Sequence, residues 1–423
     1  MAFQRVRGTE DYPPKEHALH EAIQTRLKEQ AKRFGFSQVD TPAIETLKLL
    51  TAKSGEEIKE QLFVFEKKGS EEIALRFDLT VPLTRLFVEK QKEIPKPVKW
   101  FALAPMWRYE APQKARMREF RQLSVELFGS KYPEADAQCI NLALSCLNSF
   151  GLTHKDVVLK INNRKLLEGI LQKIAGKEKI EEIVRIIDKS SKITAQEFKS
   201  ELERAGCSEE AIGKISKLTE VKGGIEVIEK IREELQLDEL AKEGLEELSE
   251  TLDLVDKKYV QIDLSIARGL AYYTGNVYEI FDRKGKYRSI AGGGRYDNLV
   301  ELFGGEPTPA TGFAIGITPL SVVLEELGKL PETQIGPEYY IAPVNESVLK
   351  QAIEIAEKLR KKTSCDVDIM RRKLSKQFDY ANSIGARKII IVGEKDLERG
   401  EVTIRDLSTG VEKKVKIDSI HAL

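Results

Sequence analysis

Cysteine and histidine are both scarce in this chain of 423 residues, with four of each. Cys139, Cys146, Cys207 and Cys365 form no CxxC pair and have no histidine at ligand spacing. That argues against a zinc site or a disulfide framework and for a reducing, cytoplasmic setting. His17 and His20 stand three apart on a predicted helix, a spacing that is ordinary on a helix surface, and no metal ligand set is expected there. An excess of one charge is missing too. Lys plus Arg number 68 and Asp plus Glu number 68, so any polyanionic partner must be met by a local patch. No apolar run reaches membrane-spanning length, and MAFQRVRGTEDYPP at the amino terminus has no apolar core of the signal-peptide kind. Neither a leader nor a membrane partner is expected. Glycine-rich phosphate loops are also absent, since no GxGxxG follows a strand and no GxxxxGK[ST] occurs.

What is present points to two or three domains, each able to bury a core. Residues 16–34 have a helical apolar stripe of Leu19, Ile23, Leu27 and Ala31. IALRFDL (73–79), VKWFALAP (98–105), LSVELFG, VVLKINN and VQIDLSI read as strands with few helices between them. Such a series predicts an α+β fold on an antiparallel or mixed sheet rather than a doubly wound one. Between residues 165 and 257 the texture changes: proline, tryptophan and tyrosine vanish, and Glu, Lys, Leu and Ile recur at helical spacing. This segment is expected to be a helical insertion with solvated charged faces, dividing a domain built from 1–164 and 258–326. GKLPETQIGPEY at 328–339 reads as a linker. Beyond it, YYIAPV, CDVDIM and KIIIVG alternate with two helical stretches, which predicts a separate α/β domain over 335–423.

One segment concentrates charge. WRYEAPQKARMREFRQ, residues 107–122, holds five cations: Arg108, Lys114, Arg116, Arg118 and Arg121. Four more stretches combine arginine or glycine with an aromatic or an acid: RFDLTVP (76–82), RGLAYYTG (268–275), AGGGRYD (291–297) and TGFAIGI (311–317). Without a glycine loop, a bound phosphate must be held by guanidinium groups. Their planar fork clamps phosphate or carboxylate at two points and keeps its charge at any ordinary pH.

Taken together and in this order, these stretches resemble the histidyl-tRNA synthetase family of class II aminoacyl-tRNA synthetases, over nearly the whole chain. FSQVDTPAIE (36–45) resembles motif 1, the 107–129 stretch motif 2, and GFAIGI the start of motif 3. RFDLT and RGLAYYTG are similar to signatures of this family, and IAPV with RRKLSKQFDYANSIGARKIIIVGE is similar to its anticodon-binding domain.

The resemblance implies that histidine and ATP form histidyl-adenylate, with magnesium bridging the outer phosphates, and that the acyl group then passes to tRNA(His). It implies that Arg108 and Arg268 hold the α-phosphate and carboxylate. Glu110 would accept from the adenine amino group, Phe120 stack on the base, and Arg116 reach the outer phosphates. Asp78, Thr80 and Gln122 would take the α-amino group, with Glu126 and Tyr273 at the imidazole nitrogens and Tyr272 as pocket wall. Gln113, Lys114 and Arg118, placed near the loop tip, would face the tRNA acceptor end. Arg371, Arg372 and Lys373 would meet the anticodon stem-loop, and the motif 1 segment implies a symmetric homodimer. Arg121 is expected to form a structural ion pair. Two positions depart from the family pattern. Ala271 stands where aspartate is usual, and Thr318-Pro319 follows GFAIGI where Glu-Arg is usual. Arg295 is the expected substitute for that missing arginine. A paralogue of reduced activity, such as a regulatory subunit of ATP phosphoribosyltransferase, would share the fold but lack the anticodon-like domain, which this chain keeps.

Overall fold

The computed structural model describes residues 3–54, 56–65, 72–113, 117–235, 237–268 and 272–422. Two compact units form, one from Met1–Asp11 with Ala22–Pro331 and the other from Tyr12–Glu21 with Glu332–Leu423.

The larger unit is built on nine strands: β1 (Ser37–Gln38), β2 (Val98–Trp107), β3 (Glu119–Phe128), β4 (Val157–Asn163), β5 (Lys222–Gly223), β6 (Val260–Asp263), β7 (Asn276–Asp282), β8 (Ala291–Arg295) and β9 (Ala310–Gly316). Their spatial order is β1-β2-β3-β9-β8-β7-β4-β6-β5. Only the β1–β2 and β4–β6 pairs are parallel; the rest are antiparallel. The mixed, mainly antiparallel sheet expected from the strand series is therefore present. Helix Pro133–Asn148 starts with Pro133 in its first turn and buries Ile140, Leu144 and Leu147. Each such side chain contributes about 1.5–3 kcal/mol by leaving water.

The register between β3 and β9 sets the site. Gln122, Ser124 and Glu126 lie opposite Gly316, Ala314 and Gly312. On β8, Gly292 lies opposite Ala314. Residues two apart share a face, so small residues on β8 and β9 form a floor beside the larger side chains of β3.

Three expectations need correction. The strand expected over 73–79 stops at Leu75, and a helix begins at Thr80. Pro82 lies in that helix's first turn, where a missing N–H costs nothing, and the Asp78 carboxylate accepts from the Val81 amide at 3.1 Å. Next, the helical segment 165–257 includes a short strand, β5, which pairs with β6 at the sheet edge. Its helices otherwise follow the apolar spacing and are capped by Asn163, Thr194, Ser208 and Asp238. Finally, the smaller unit has two more strands than the β-α-β-α-β pattern suggests. β10 (Tyr339–Pro343), β11 (Cys365–Val367) and β12 (Lys388–Val392) are parallel, while β13 (Glu401–Asp406) and β14 (Glu412–Lys416) add an antiparallel hairpin. The 412–416 strand is half lysine or more and faces solvent, so its sequence reads as a solvated segment rather than a strand.

Candidate active site

Two adjoining cavities of about 250 and 260 Å³ open on the β3–β9–β8 floor. Arg108, Gln122, Arg268, Gly292 and Ala314 line both. The inner cavity adds Asp78, Thr80, Glu126, Tyr272, Tyr273 and Tyr296. The outer one adds Glu110, Phe120, Arg121, Arg288, Thr318 and Pro319. Most of the residues expected around an amino acid thus line one lobe and those expected around a nucleotide the other, and the lobes meet at an arginine pair.

Arg108 lies one residue beyond β2 rather than on the strand, but its amide still donates to the Arg118 carbonyl at 2.9 Å. Its Nε donates to the Phe77 carbonyl at 3.1 Å, and its guanidinium sits 5.1 Å from the Phe120 ring centre. Burial lowers the pKa of Arg108, Asp78 opposes that shift and the facing Arg268 adds to it. Arg268 adopts a left-handed backbone with φ of 45°, strained for a side chain of this size. Its Nη1 donates to Glu279 at 2.6 Å and its Nη2 to the Tyr273 hydroxyl at 3.5 Å. Burial works against its charge, but Tyr273 and Glu279 outweigh that and raise its pKa well above the usual value. The Arg268 Nε is buried without a hydrogen-bond partner among the described residues. Two half-buried guanidinium groups therefore face one space, Arg268 paired with Glu279 and Arg108 near Asp78, and an anion placed between them would meet both.

The floor requires glycine at position 312, where a Cβ would lie 2.3 Å from the Val125 carbonyl oxygen, and favours it at position 292. A Cβ at Gly312 would lie 2.4 Å from Glu126 Oε2, and one at Gly292 would lie 2.8 Å from Arg268 Nη1. Glu126 is 1% exposed and its Oε1 accepts from the Ser124 hydroxyl at 3.1 Å. Burial pushes the Tyr272 phenol well above its ordinary pKa, with Tyr273 adding to the shift, so it stays a neutral hydroxyl. The Tyr272 and Tyr273 ring centres are 4.4 Å apart and Tyr296 stands edge-on to both.

Sequence reasoning missed Tyr296, Glu279 and Arg288. Tyr296 sits inside a quoted motif, and its buried hydroxyl lacks a partner among the described residues. Glu279 and Arg288 are joined to the cleft only by strand pairing, which single-sequence spacing does not reveal.

Several expected placements differ. Arg118 is at the base of its loop, not the tip, because its backbone pairs with Arg108. Its side chain donates to the Glu110 carbonyl at 3.0 Å and lies 4.2 Å over the Tyr109 ring, which occupies it structurally. Arg121 makes no ion pair among the described residues and instead lines the outer cavity. Arg295 is turned away from the cleft and is 4% exposed. It is bound by Asp136 at 2.9 Å, Asp297 at 3.1 Å and the carbonyls of Ser130 and Tyr132. Its guanidinium cannot replace a missing phosphate contact. Lys114, Arg116 and Ala271 fall outside the described residues. No group of three or more His, Cys, Asp or Glu able to hold a metal occurs among the described residues.

In the smaller unit, Arg371 pairs with Glu346 at 3.1 Å. Arg372 donates to Asp368 at 2.7 Å and lies 4.1 Å over Tyr380. Lys373 forms no ion pair among the described residues and lines a surface groove with Lys376 and Tyr380. The patch is real, but two of its three cations already have carboxylate partners. Ile369 and Met370 beside it are 83% and 66% exposed.

An arginine-lined lobe and a tyrosine- and carboxylate-lined lobe on a mainly antiparallel sheet are the arrangement of a class II aminoacyl-tRNA synthetase catalytic fold. Residues 8–320 match the family model for histidyl-tRNA synthetase, and residues 338–423 match that for the anticodon binding domain. The chain is 43% identical to the histidine–tRNA ligase of Pyrococcus furiosus, covering 99% of this chain and 98% of that one. It is 40% identical to that of Methanocaldococcus jannaschii, covering 99% of each. Among solved structures, the histidyl-tRNA synthetase of Nostoc superposes with a TM-score of 0.84 at 28% identity, over 99% of this chain and 98% of that one. This chain belongs to the histidyl-tRNA synthetase family. An ATP phosphoribosyltransferase regulatory subunit/histidyl-tRNA synthetase from Bacillus halodurans superposes with a TM-score of 0.77 at 23% identity, over 92% of this chain and 98% of that one, a likeness of fold alone.

Proposed function

We propose that this chain attaches histidine to tRNA(His) through histidyl-adenylate. The observation that carries the reading is the arginine pair, Arg108 and Arg268, shared by two lobes of different chemistry. A carboxylate held in the inner lobe and an α-phosphate held in the outer one meet between these guanidinium groups. A histidine carboxylate oxygen attacks the α-phosphorus, the bond to the bridging oxygen breaks and pyrophosphate leaves. A ribose hydroxyl at the tRNA 3′ end then attacks the acyl carbon and AMP departs. The enzyme's task in the first step is positioning and stabilising the charge that gathers on phosphorus oxygens.

In this reading Glu110 and Phe120 hold adenine. Asp78, Thr80 and Gln122 hold the α-amino group, and Glu126, Tyr272 and Tyr273 surround the imidazole, with Tyr296 as a further wall. Imidazole presents one donor and one acceptor, or two donors when charged. An amino acid lacking them strands buried polar groups, which can reject it by about 10⁴-fold without editing. Glu110 is the one carboxylate lining the outer lobe among the described residues and is assigned to adenine in this reading, so a magnesium ion would be held mainly through ATP and would supply charge neutralisation on the triphosphate. The catalytic domain comprises 1–164 and 258–326, with 165–257 as the helical insertion and 335–423 as the anticodon domain. By resemblance Gln113 and Lys114 would serve the acceptor end and Arg116 the triphosphate, and Arg371, Arg372 and Lys373 would serve the anticodon stem-loop. The exposed apolar Ile44, Val64 and Phe65 on the small sheet Ile44–Thr46, Ile73–Leu75 and Val64–Phe65 support a symmetric homodimer. Among the described residues no helix is long and apolar enough to cross a membrane.

The test is pyrophosphate exchange into ATP. Exchange is expected with histidine and not with other amino acids; exchange with several amino acids, or none with histidine, would overturn the reading.

A further inference from the structure

We infer that Arg288 is a phosphate-binding residue for the outer phosphates of the nucleotide, an inference that rests on the reading of the outer lobe as an ATP site. Among the described residues four guanidinium groups line that lobe, Arg108, Arg121, Arg268 and Arg288, against one carboxylate, Glu110. Arg108 and Arg268 belong to the junction with the inner lobe, and Arg268 is already matched by Glu279. Arg288 is different. It is exposed at the cavity wall, forms no ion pair among the described residues, and has a neutral partner, the Gln113 side-chain oxygen, at 3.4 Å. That contact stretches it from the segment before β8 to the loop that follows Arg108. Its positive charge is therefore free to meet an anion lying between the two.

The segment that carries Arg288 is anchored. Lys286 Nζ binds Glu326 at 2.9 Å and the Tyr287 hydroxyl donates to the same carboxylate. Glu326 ends the helix Ile317–Glu326, whose first turn holds Thr318 and Pro319 on the wall of the same cavity. The Gly316 amide donates to the Ile290 carbonyl at 3.1 Å, which fixes the start of that helix against the strand Arg288 leads into. The first helical turn offers the nucleotide only a hydroxyl and an apolar ring. The neighbouring segment, pinned to the same helix, offers a guanidinium. Arg288 thus supplies from beside β8 the cation that position 319 does not, and Arg295, locked by Asp136 and Asp297, cannot share the task.

The experiment compares binding of ATP and of AMP, together with pyrophosphate exchange, in the wild type, Arg288→Ala, Arg288→Lys and Arg288→Ala/Pro319→Arg. Loss of one charge-assisted contact to the outer phosphates should weaken ATP binding and raise the ATP KM on the order of tenfold. AMP affinity and the histidine KM should stay at wild-type values, Arg288→Lys should fall between, and Pro319→Arg should recover part of the loss. Unchanged ATP affinity in Arg288→Ala, or an equal loss for AMP, would overturn the inference while leaving the adenylate reading intact. A wild-type protein that binds no ATP would overturn both.

Discussion

The two lobes of the cleft differ in kind, and in the proposed reading they recognise their ligands by opposite means. In the inner lobe Glu126, Ser124, Tyr273 and Tyr296 are buried, stacked or bonded to one another, and set over glycines that admit no side chain. In the outer lobe Arg121 and Arg288 are exposed, long and charged, and the wall opposite is an apolar proline. The inner lobe can read the positions of single donors and acceptors because its groups cannot adjust and water cannot replace a missing partner. The outer lobe reads charge and tolerates changes in which residue supplies it. This contrast explains how the motif 3 position can hold Pro319 while the inner lobe keeps every expected polar group.

The comparison breaks most severely at the shared arginine. Arg268→Ala should lower kcat for exchange by on the order of 10²- to 10³-fold, because this group acts where charge develops. A change confined to KM would assign Arg268 to ground-state binding instead. Next in size is the inner lobe. Glu126→Gln should raise the histidine KM by about 10- to 100-fold and leave the ATP KM alone, which steady-state kinetics with each substrate varied would show. Equal effects on both substrates would mean that the lobes are not independent. The smallest effect on turnover is expected at Arg295→Ala, with an unchanged ATP KM and additivity with Pro319→Arg. Its cost should appear in thermal unfolding, at roughly 3–5 kcal/mol, because Asp136 is left buried without its partner. Burial already raises the Asp136 pKa while Arg295 opposes that shift. A raised acid gives stability below the unfolded-state value near 3.8 and loses it as pH rises through the folded-state value. The deficit of Arg295→Ala should therefore shrink in acid.

Much of the cleft could be read from the sequence because its residues occur in short stretches, each within one element. Phe120, Gln122 and Glu126 alternate along β3, and the alternation predicts that they share a face. The strand over Val157–Asn163 was legible for the same reason. Arg295 was misjudged although the signal was available. It is an odd number of residues from Gly292, so the pleat that turns Gly292 to the cleft turns Arg295 toward helix Pro133–Asn148. Arg288 and Glu279 were not legible, because their approach to the site depends on β7 and β8 pairing, a nonlocal choice. RFDLT misled in another way. Its apolar alternation continues past Leu75, but Asp78 and Pro82 are helix-start residues and they prevail.

The two-residue strand β5 has a consequence for what the edge of the large sheet can pair with. Without it β6 would be the edge of the large sheet, a row of open amides and carbonyls next to Val260 and Ile262, suited to recruiting a strand from another molecule. The helical segment lays Lys222 and Gly223 along that edge, and the Lys222 ammonium stands 3.5 Å from Asp263. A short strand with a lysine on it ends the sheet. The segment that looked like an interruption of the catalytic domain thus also guards it against growth into aggregates, and cutting it out cleanly would expose the very border it covers.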